Sequence, residues 1–323
     1  MSPLRLTIAF WDYDRVRPLI DGTIQPEGIE LRPIISRPSD TFFRMLRHQE
    51  FEVSELSLSN YTMLRSRGDD TFTAIPVFPS RQFRHSCIYV NTNAGINEPK
   101  DLIGRRVGVP DYPMTAAVFA RGLLRHEYGV EPEMLEWFSG TQDGLQRPSR
   151  IDFELPGVKL TRMPVEQDMG PMLEAGELDA IISPNTPTAL GRPDSTVRRL
   201  FRDYRQVEKA YFAKTGIFPI MHTLVLRKDV YQRYPWAAKS LFDAFVKAKD
   251  WAYQQLLETD ALKLTLPWVV AETEEMQRLM GPDFWPYGIE RNRVSLEAVP
   301  QYLHEQHLAP RKPSIEELFA PVG

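Results

Sequence analysis

The chain has 323 residues, of which 42% are hydrophobic, and a formal net charge of −4. This length supports about two domains with a sizeable core, and the mixed charges, without a basic stripe, argue against nucleic acid as a partner. No apolar run approaches the roughly 18 residues of a membrane-spanning helix, so no membrane partner is expected.

The cysteine content and the first residues of the chain bear on disulfides, metal binding and the cellular compartment. The single cysteine, Cys87, cannot form an intrachain disulfide, and its apolar neighbours predict a buried, inert thiol. No cluster of histidine and cysteine has the spacing of a metal site, so no metal is predicted. The first residues, MSPLRLTIAF, enter a strand pattern without a basic region or cleavage signal, which predicts a cytoplasmic protein.

Alternating strands and helices are predicted in the first third of the chain. Strands are expected at 4–10, 28–36, 51–56 and 86–91, with helices at 39–48 and from Ser57 onward. Ser39 and Asp40 suit the start of the first of these helices as caps. This order of elements predicts an α/β sheet.

A second set of elements begins with a strand at 106–109. A helix is expected from Pro113 to about Tyr128, followed by strands at 135–138, 158–165 and 219–226 and by further helices. We predict two lobes, one formed by residues 1–108 and 220–323 and the other by residues 109–219. The chain is expected to cross between them near 107–110 and 216–222.

Two stretches in different halves of the chain echo each other. FEVSELSLSNY and GELDAIISPNTP both run from an acidic and apolar strand into a serine, Ser57 or Ser183, and then into a helix start or turn. Ligands of open α/β sheets bind beyond the carboxyl ends of strands. Two such ends predict two lobes that face each other across a cleft.

Four stretches resemble known proteins. DLIGRRVGVPDY and FPIMHTLVLRKDV resemble the type II periplasmic-binding-protein fold, an α/β fold with two lobes and a central cleft. PVFPSRQFRHSCIYVN and VSELSLSNY resemble the 4,5-dihydroxyphthalate decarboxylase family, cytoplasmic enzymes on that fold. The resemblance covers essentially the whole chain. It implies non-oxidative loss of one carboxylate from a dihydroxylated phthalate, without an organic cofactor.

Two arginines precede a predicted strand and suit an anionic ligand. Arg81 and Arg84 lie in the stretch VFPSRQFRHSCIYVN. A planar guanidinium binds a carboxylate through two parallel hydrogen bonds, so two arginines suit the two carboxylates of a phthalate. The alternative is a solvated loop in which both arginines form salt bridges.

Three residues are candidates for proton transfer. His85 and His222 stand beside predicted strands, whereas the other four histidines fall in predicted helices or the tail. Histidine titrates near neutral pH and suits proton transfer, although either could be a structural histidine with satisfied hydrogen bonds. Glu55 interrupts an apolar strand, which predicts either a catalytic carboxyl group or an ion pair with Arg81 or Arg84.

Further polar and aromatic residues are expected to contact the substrate. They follow strand ends or begin helices, where free N–H groups and the helix dipole favour anions. The aromatic members are alternatively core residues, and a helix-start hydroxyl is alternatively an ordinary cap. This set comprises Trp11, Asp12, Ser57, Ser59, Asn60, Tyr112, Thr115 and Asn185.

The sequence therefore predicts an aromatic-acid decarboxylase that converts 4,5-dihydroxyphthalate to 3,4-dihydroxybenzoate (protocatechuate) by protonating a ring carbon. His85 or Glu55 would be the acid, and His222 or an aspartate near the first strand the base. The partner is a small aromatic carboxylate, and a homo-oligomer is left open. The alternatives are a solute-binding protein of an ABC importer and a different cytoplasmic enzyme on the same fold, such as a dehydratase.

Overall fold

The structure is a computed structural model that describes residues 2–145 and 151–322. Within these residues, eleven strands form two sheets. The strands are β1 (Leu4–Phe10), β2 (Ile29–Ile35), β3 (Val53–Ser57), β4 (Phe72–Arg81), β5 (Ile88–Asn91), β6 (Arg106–Val109), β7 (Glu136–Ser139), β8 (Leu160–Arg162), β9 (Ala180–Ile182), β10 (Val197–Arg199) and β11 (Ile220–Arg227).

Helices cover the sheets. In chain order they are α1 (Arg17–Ile20), α2 (Pro38–His48), α3 (Leu58–Ser66), α4 (Thr115–Tyr128), α5 (Met169–Ala175), α6 (Tyr204–Thr215), α7 (Lys228–Arg233), α8 (Trp236–Leu256), α9 (Val269–Met280), α10 (Arg293–Glu305) and α11 (Ile315–Leu318). None of these described helices has the length and hydropathy of a transmembrane segment.

Each sheet is the centre of one lobe of a two-lobed α/β fold. The first sheet has the strand order β2-β1-β3-β11-β4, and the second has the order β10-β5-β9-β6-β7-β8. In the first sheet β1 is parallel to β2 and β3, whereas β11 is antiparallel to β3 and β4. β11 therefore places a strand from late in the chain beside the carboxyl end of β3.

The chain leaves the first lobe earlier than the sequence predicted. The predicted boundary after residue 108 assigns β5 and β6 to the first lobe, but β5 pairs with β9 and β10 of the second sheet. The first crossing therefore lies between β4 and β5, in residues 82–87, and the chain has returned to the first sheet when β11 begins. The apolar run of β5 suits a buried strand of either sheet. Its antiparallel partners, β9 and β10, lie far later in the chain, so its own sequence does not reveal which sheet it joins.

Close helix packing joins the end of the chain to the second lobe. α10 packs against both α3 and α4. Gly122 lies inside α4 against the ring of Tyr302, and a Cβ atom there would stand 2.3 Å from the ring. This glycine lets the two helices approach closely, which offsets its cost of about 1 kcal/mol in a helix interior.

Candidate active site

A cavity of about 420 Å³ lies between the lobes and is lined by both of them. Its volume falls within the range of small-molecule sites. The first lobe contributes Trp11, Tyr13, Arg37, Pro38, Ser39, Phe42, Ser57, Ser80, Met221 and His222, and the crossing segment contributes Gln82 and Arg84. The second contributes Met114, Thr115, Ala116, Leu145, Pro184 and Asn185.

Strand register builds one wall of this cleft. His222 of β11 lies opposite Ser57 of β3 on one side and near Ser80 of β4 on the other. The pairing of β11 with β4 shifts register on both sides of His222. Neighbouring strand residues normally point to opposite faces, so this irregularity accounts for Met221 and His222 both lining the cleft.

A buried carboxylate holds the imidazole of His222. Nδ1 of His222 donates to Oε1 of Glu55 at 2.5 Å, and Tyr13 Oη donates to the same oxygen at 2.7 Å. The backbone N–H of Trp11 donates to Oε2 at 3.0 Å. Burial of Glu55 acts to raise its pKa, but the charge of His222 and the three hydrogen bonds outweigh burial and lower that pKa below its usual value.

The pair leaves one ring nitrogen available for chemistry. Because Nδ1 is engaged by Glu55, Nε2 is the nitrogen that His222 can present to a ligand. The side chain of His222 is 17% exposed, whereas Glu55 is fully buried and does not line the cleft. Phe42 packs edge-on against the imidazole at 4.8 Å between ring centroids. His222 can therefore exchange a proton with a ligand, and Glu55 acts through it.

Arg84 supplies a buried positive charge at the cleft. Its side chain is 4% exposed, with Nε directed to Sδ of Met221 at 3.1 Å and Nη1 donating to Oε1 of Gln82 at 3.3 Å. It forms no salt bridge with a described residue, although the thiol of Cys87 contacts it and the carboxylate of Glu208 interacts with its charge at longer range. Burial lowers the pKa of this guanidinium. A buried cation without an ion pair is suited to an anionic ligand.

A second cation, which sequence reasoning missed, lies at the edge of the cleft. Arg37 immediately precedes α2 and is exposed, and its side chain has no ion pair with any described residue. Pro38 and Ser39, in the first turn of α2, line the cleft beside it. The predicted caps of this helix marked its start, but they did not indicate that the preceding arginine would line a site.

Hydroxyl groups connect the two lobes next to the cleft. Oγ of Ser57, at the end of β3, lies 2.9 Å from Oγ1 of Thr115, at the start of α4, and 3.2 Å from Oγ of Ser59. Ser59 in turn donates to the carbonyl of Pro113 at 2.6 Å. Ser57 and Thr115 line the cleft, whereas Ser59 and Asn60 lie behind it.

The structure does not bring His85 to the cleft. The residue is 1% exposed, and aromatic rings surround it: Tyr128, Phe201 and Tyr211. Neither ring nitrogen has a hydrogen-bond partner among the described residues. Burial lowers the pKa of His85 to about 4. His85 begins a helical turn at the lobe crossing, and this turn directs its side chain into the core.

Arg81 also points away from the cleft. Nη1 donates to Oδ1 of Asn292 at 2.7 Å, and Nη2 donates to the carbonyl of Phe218 at 2.8 Å. Burial lowers the pKa of Arg81 to about 9. Strand alternation explains why Arg81 does not line the cleft. Ser80 of β4 faces the cleft, and Arg81, the next residue, faces the other way.

Two other predicted contacts lie elsewhere. Asp12 pairs with Arg17 at 2.6 Å and does not line the cleft. Tyr112 is buried under the guanidinium of Arg121, 3.7 Å from the ring centroid, and packs edge-on against Trp137. By contrast Trp11, Ser57, Thr115 and Asn185 line the cleft as predicted residues of the site. No group of three or more metal-ligating side chains lies together in the described part of the chain.

Substitution of His85 by Phe should stabilise the protein without lowering its activity. Between pH 6.5 and about 4 the unfolded chain binds a proton at His85 that the folded chain does not, so wild-type stability falls as the pH falls. His85→Phe removes this pH dependence of the free energy of unfolding, which is up to about 1.4 kcal/mol per pH unit. It also removes a buried polar group that has no hydrogen-bond partner among the described residues. Thermal unfolding from pH 4 to 8 should show the largest gain at acid pH. An unchanged acid slope, or a fall in kcat, would contradict this placement of His85.

Glu55→Gln should lower stability at neutral pH but not in acid. Because the pKa of Glu55 is lowered by folding, its stabilisation is present above its usual pKa near 4.5 and is lost as the pH falls through the folded value. We expect a cost of about 2 kcal/mol at pH 7, from the charged hydrogen bonds. In thermal unfolding the gap between wild type and variant should narrow as the pH falls below the usual pKa of about 4.5. A gap independent of pH would mean that the carboxylate charge does not stabilise the fold.

Comparison with known proteins gives first the class of the fold. The structure aligns with the periplasmic aliphatic sulphonate binding protein SsuA from Escherichia coli at a TM-score of 0.55 and 12% identity, over 99% of this chain and 98% of that chain. The protein therefore has the two-lobed fold of periplasmic binding proteins. No family model matches the sequence.

Sequence comparison then gives the family. The chain is 39% identical over 324 aligned residues to 4,5-dihydroxyphthalate decarboxylase of Comamonas testosteroni, covering 100% of this chain and 98% of the relative. It is 38% identical over 204 residues to the Pseudomonas putida protein of the same name, covering 63% of this chain and 79% of that protein. The chain belongs to the 4,5-dihydroxyphthalate decarboxylase family.

Proposed function

We propose that the protein is a carboxy-lyase that converts 4,5-dihydroxyphthalate to 3,4-dihydroxybenzoate and CO₂. The observation that carries this function is the presence, in one cleft, of a buried arginine without an ion pair and a histidine held by a buried carboxylate. Arg84 suits an anion, and His222 suits proton transfer. A full-length relationship to proteins named for this reaction supports the same substrate.

Protonation of the ring must precede loss of CO₂. Direct departure of CO₂ would leave an aryl carbanion, which is very unstable. The hydroxyl para to the reacting carbon donates electron density, so that carbon can accept a proton. The bond from the ring to the carboxylate then breaks, its electron pair restores the aromatic ring, and one proton has replaced one CO₂.

The residues of the cleft fit the roles that this chemistry requires. Arg84 holds the carboxylate that stays on the ring. His222 delivers the proton from Nε2, and Glu55 is a positioning residue that fixes the ring of His222 through Nδ1. Ser57 and Thr115 offer hydrogen-bonding partners for the ring hydroxyls. Closure of the lobes would exclude water and strengthen each charge interaction.

A solute-binding protein of an importer is the second candidate, because its fold is the same. Such a protein would use Arg84 to bind the ligand and would have no use for a proton donor. A decarboxylase would work in the cytoplasm, whereas a solute-binding protein would work in the periplasm.

Incubation of the protein with 4,5-dihydroxyphthalate separates the two functions. We expect stoichiometric release of CO₂ and formation of 3,4-dihydroxybenzoate. Phthalate, which lacks the para hydroxyl, should bind without being decarboxylated and serves as the control ligand. Tight binding of 4,5-dihydroxyphthalate without CO₂ release would overturn the enzyme proposal in favour of solute binding.

A further inference from the structure

The charge of the cleft lining is unbalanced. Among the described residues, Arg37 and Arg84 are the two arginines that line it, and no aspartate or glutamate does. Glu55 is fully buried behind His222, which contacts it through Nδ1, and does not line the cleft. The cleft therefore offers two guanidinium groups to whatever binds in it, which suits a dianion better than a monoanion.

The two guanidinium groups differ in their environment. Arg84 is almost fully buried, with one side of its guanidinium on Met221 and Gln82. Arg37 is exposed, and its side chain is not restrained by any hydrogen bond to a described residue. One cation is thus fixed within the cleft, and the other can move at its edge.

We propose that Arg37 is a specificity-determining residue, which binds the second carboxylate of the substrate and selects dianions over monoanions. This role rests on the proposed function for its substrate, although it can be measured without turnover. Arg84 then binds a carboxylate that substrate and product share, and Arg37 binds the carboxylate that only the substrate has.

The start of α2 strengthens this second anion position. α2 is 11 residues long, and its N-cap, Arg37, makes no side-chain hydrogen bond. Pro38 has no N–H and the N–H of Asp40 donates to the carbonyl of Arg37, so the free backbone donor of the first turn is the N–H of Ser39. Pro38 and Ser39 of this turn line the cleft beside Arg37. The positive end of the helix dipole adds to the charge of Arg37, whereas Asp40, the acidic residue of this turn, does not line the cleft. The independent observation that points to an anion in this cleft is Arg84, which lines it, is more than nine-tenths buried and forms no salt bridge with a described residue.

An exposed partner for the departing carboxylate also suits the reaction. A fixed, buried cation would stabilise that carboxylate in the ground state and oppose its conversion to neutral CO₂. A mobile arginine can orient the dianion as it binds and interact less strongly as the charge disappears. The product retains one carboxylate, so Arg37 no longer holds it and its release is favoured.

Calorimetric binding of phthalate and benzoate tests the assignment. Wild type should bind phthalate more tightly than benzoate. Arg37→Met should lower phthalate affinity roughly five- to tenfold and leave benzoate affinity within about twofold, because benzoate has no second carboxylate. Arg84→Met should weaken both ligands. Arg32→Met, the same change at an exposed arginine of the first lobe outside the cleft, is the matched control and should change neither affinity.

Three outcomes would overturn the role of Arg37: equal weakening of both ligands in Arg37→Met, no change for either, or no phthalate preference in wild type. Because these measurements involve binding alone, they are separate from the test of the reaction. Selective loss of phthalate affinity in a protein that releases no CO₂ from 4,5-dihydroxyphthalate would support Arg37 and refute the decarboxylase function.

Discussion

His222→Asn is expected to lower kcat by roughly 10²–10⁴-fold while phthalate still binds, because a positioned general acid contributes about that much to a rate. Asparagine keeps a hydrogen-bonding side chain next to Glu55 but cannot carry the proton. The fall should appear in kcat, with KM changed by less than about threefold, since proton transfer matters in the transition state and not in substrate binding. Steady-state release of CO₂ measures both constants.

A second histidine–glutamate pair provides the control for this variant. His126 lies 2.7 Å from Glu305, in the same kind of contact, but outside the cleft. His126→Asn should therefore keep wild-type kcat. Wild-type kcat in His222→Asn would exclude the proton-transfer role and leave Glu55 without a route to the substrate.

Arg84→Met is expected to raise the Kd for phthalate and the KM for 4,5-dihydroxyphthalate by roughly 10- to 100-fold. A charge-assisted hydrogen bond contributes about 1.5–3 kcal/mol, and this guanidinium is fixed in place by Met221 and Gln82. The same variant should be at least as stable as wild type, because it removes a buried charge that has no ion pair among the described residues. Calorimetry and thermal unfolding measure the two effects.

Arg81→Met should show the opposite combination. Arg81 is equally buried, but it donates to Asn292 and to the carbonyl of Phe218, and it does not line the cleft. Its loss should leave those acceptors without their donor, at a cost of about 1–3 kcal/mol, while ligand affinity changes little. Equal loss of affinity in both variants would mean that Arg84 does not bind the ligand directly.

Most of the fold could be predicted from local patterns. Hydrophobic alternation located β1, β3 and β11, and the helix from Thr115 to Tyr128 follows from its apolar face and its terminal Gly129. The lobe crossing could not be located, because the pairing of β5 with β9 and β10 depends on contacts made far along the chain. Local sequence encodes the strand, and tertiary contacts determine which sheet it joins.

A site residue could be predicted from the sequence where an unusual side chain stands at an unusual position, such as an acid within an apolar strand. Glu55 stood out as an acid in an apolar strand, but its partner proved to be His222 and not an arginine, since strand register decides which residues meet. Strand β4, whose alternation separates Arg81 from the cleft-facing Ser80, was not predicted from the sequence. The direction of His85 depends on a helical turn that no local signal marked.

A crystal structure of the protein with phthalate tests the central claim most directly, namely that one cleft clamps a carboxylate and presents a proton to the ring. We expect phthalate in the cleft with one carboxylate on Arg84 and the ring carbon bearing the other about 3–3.5 Å from Nε2 of His222, a distance suited to reaction. Phthalate bound outside this cleft, or bound there with His222 beyond reach of either carboxyl-bearing carbon, would contradict the claim.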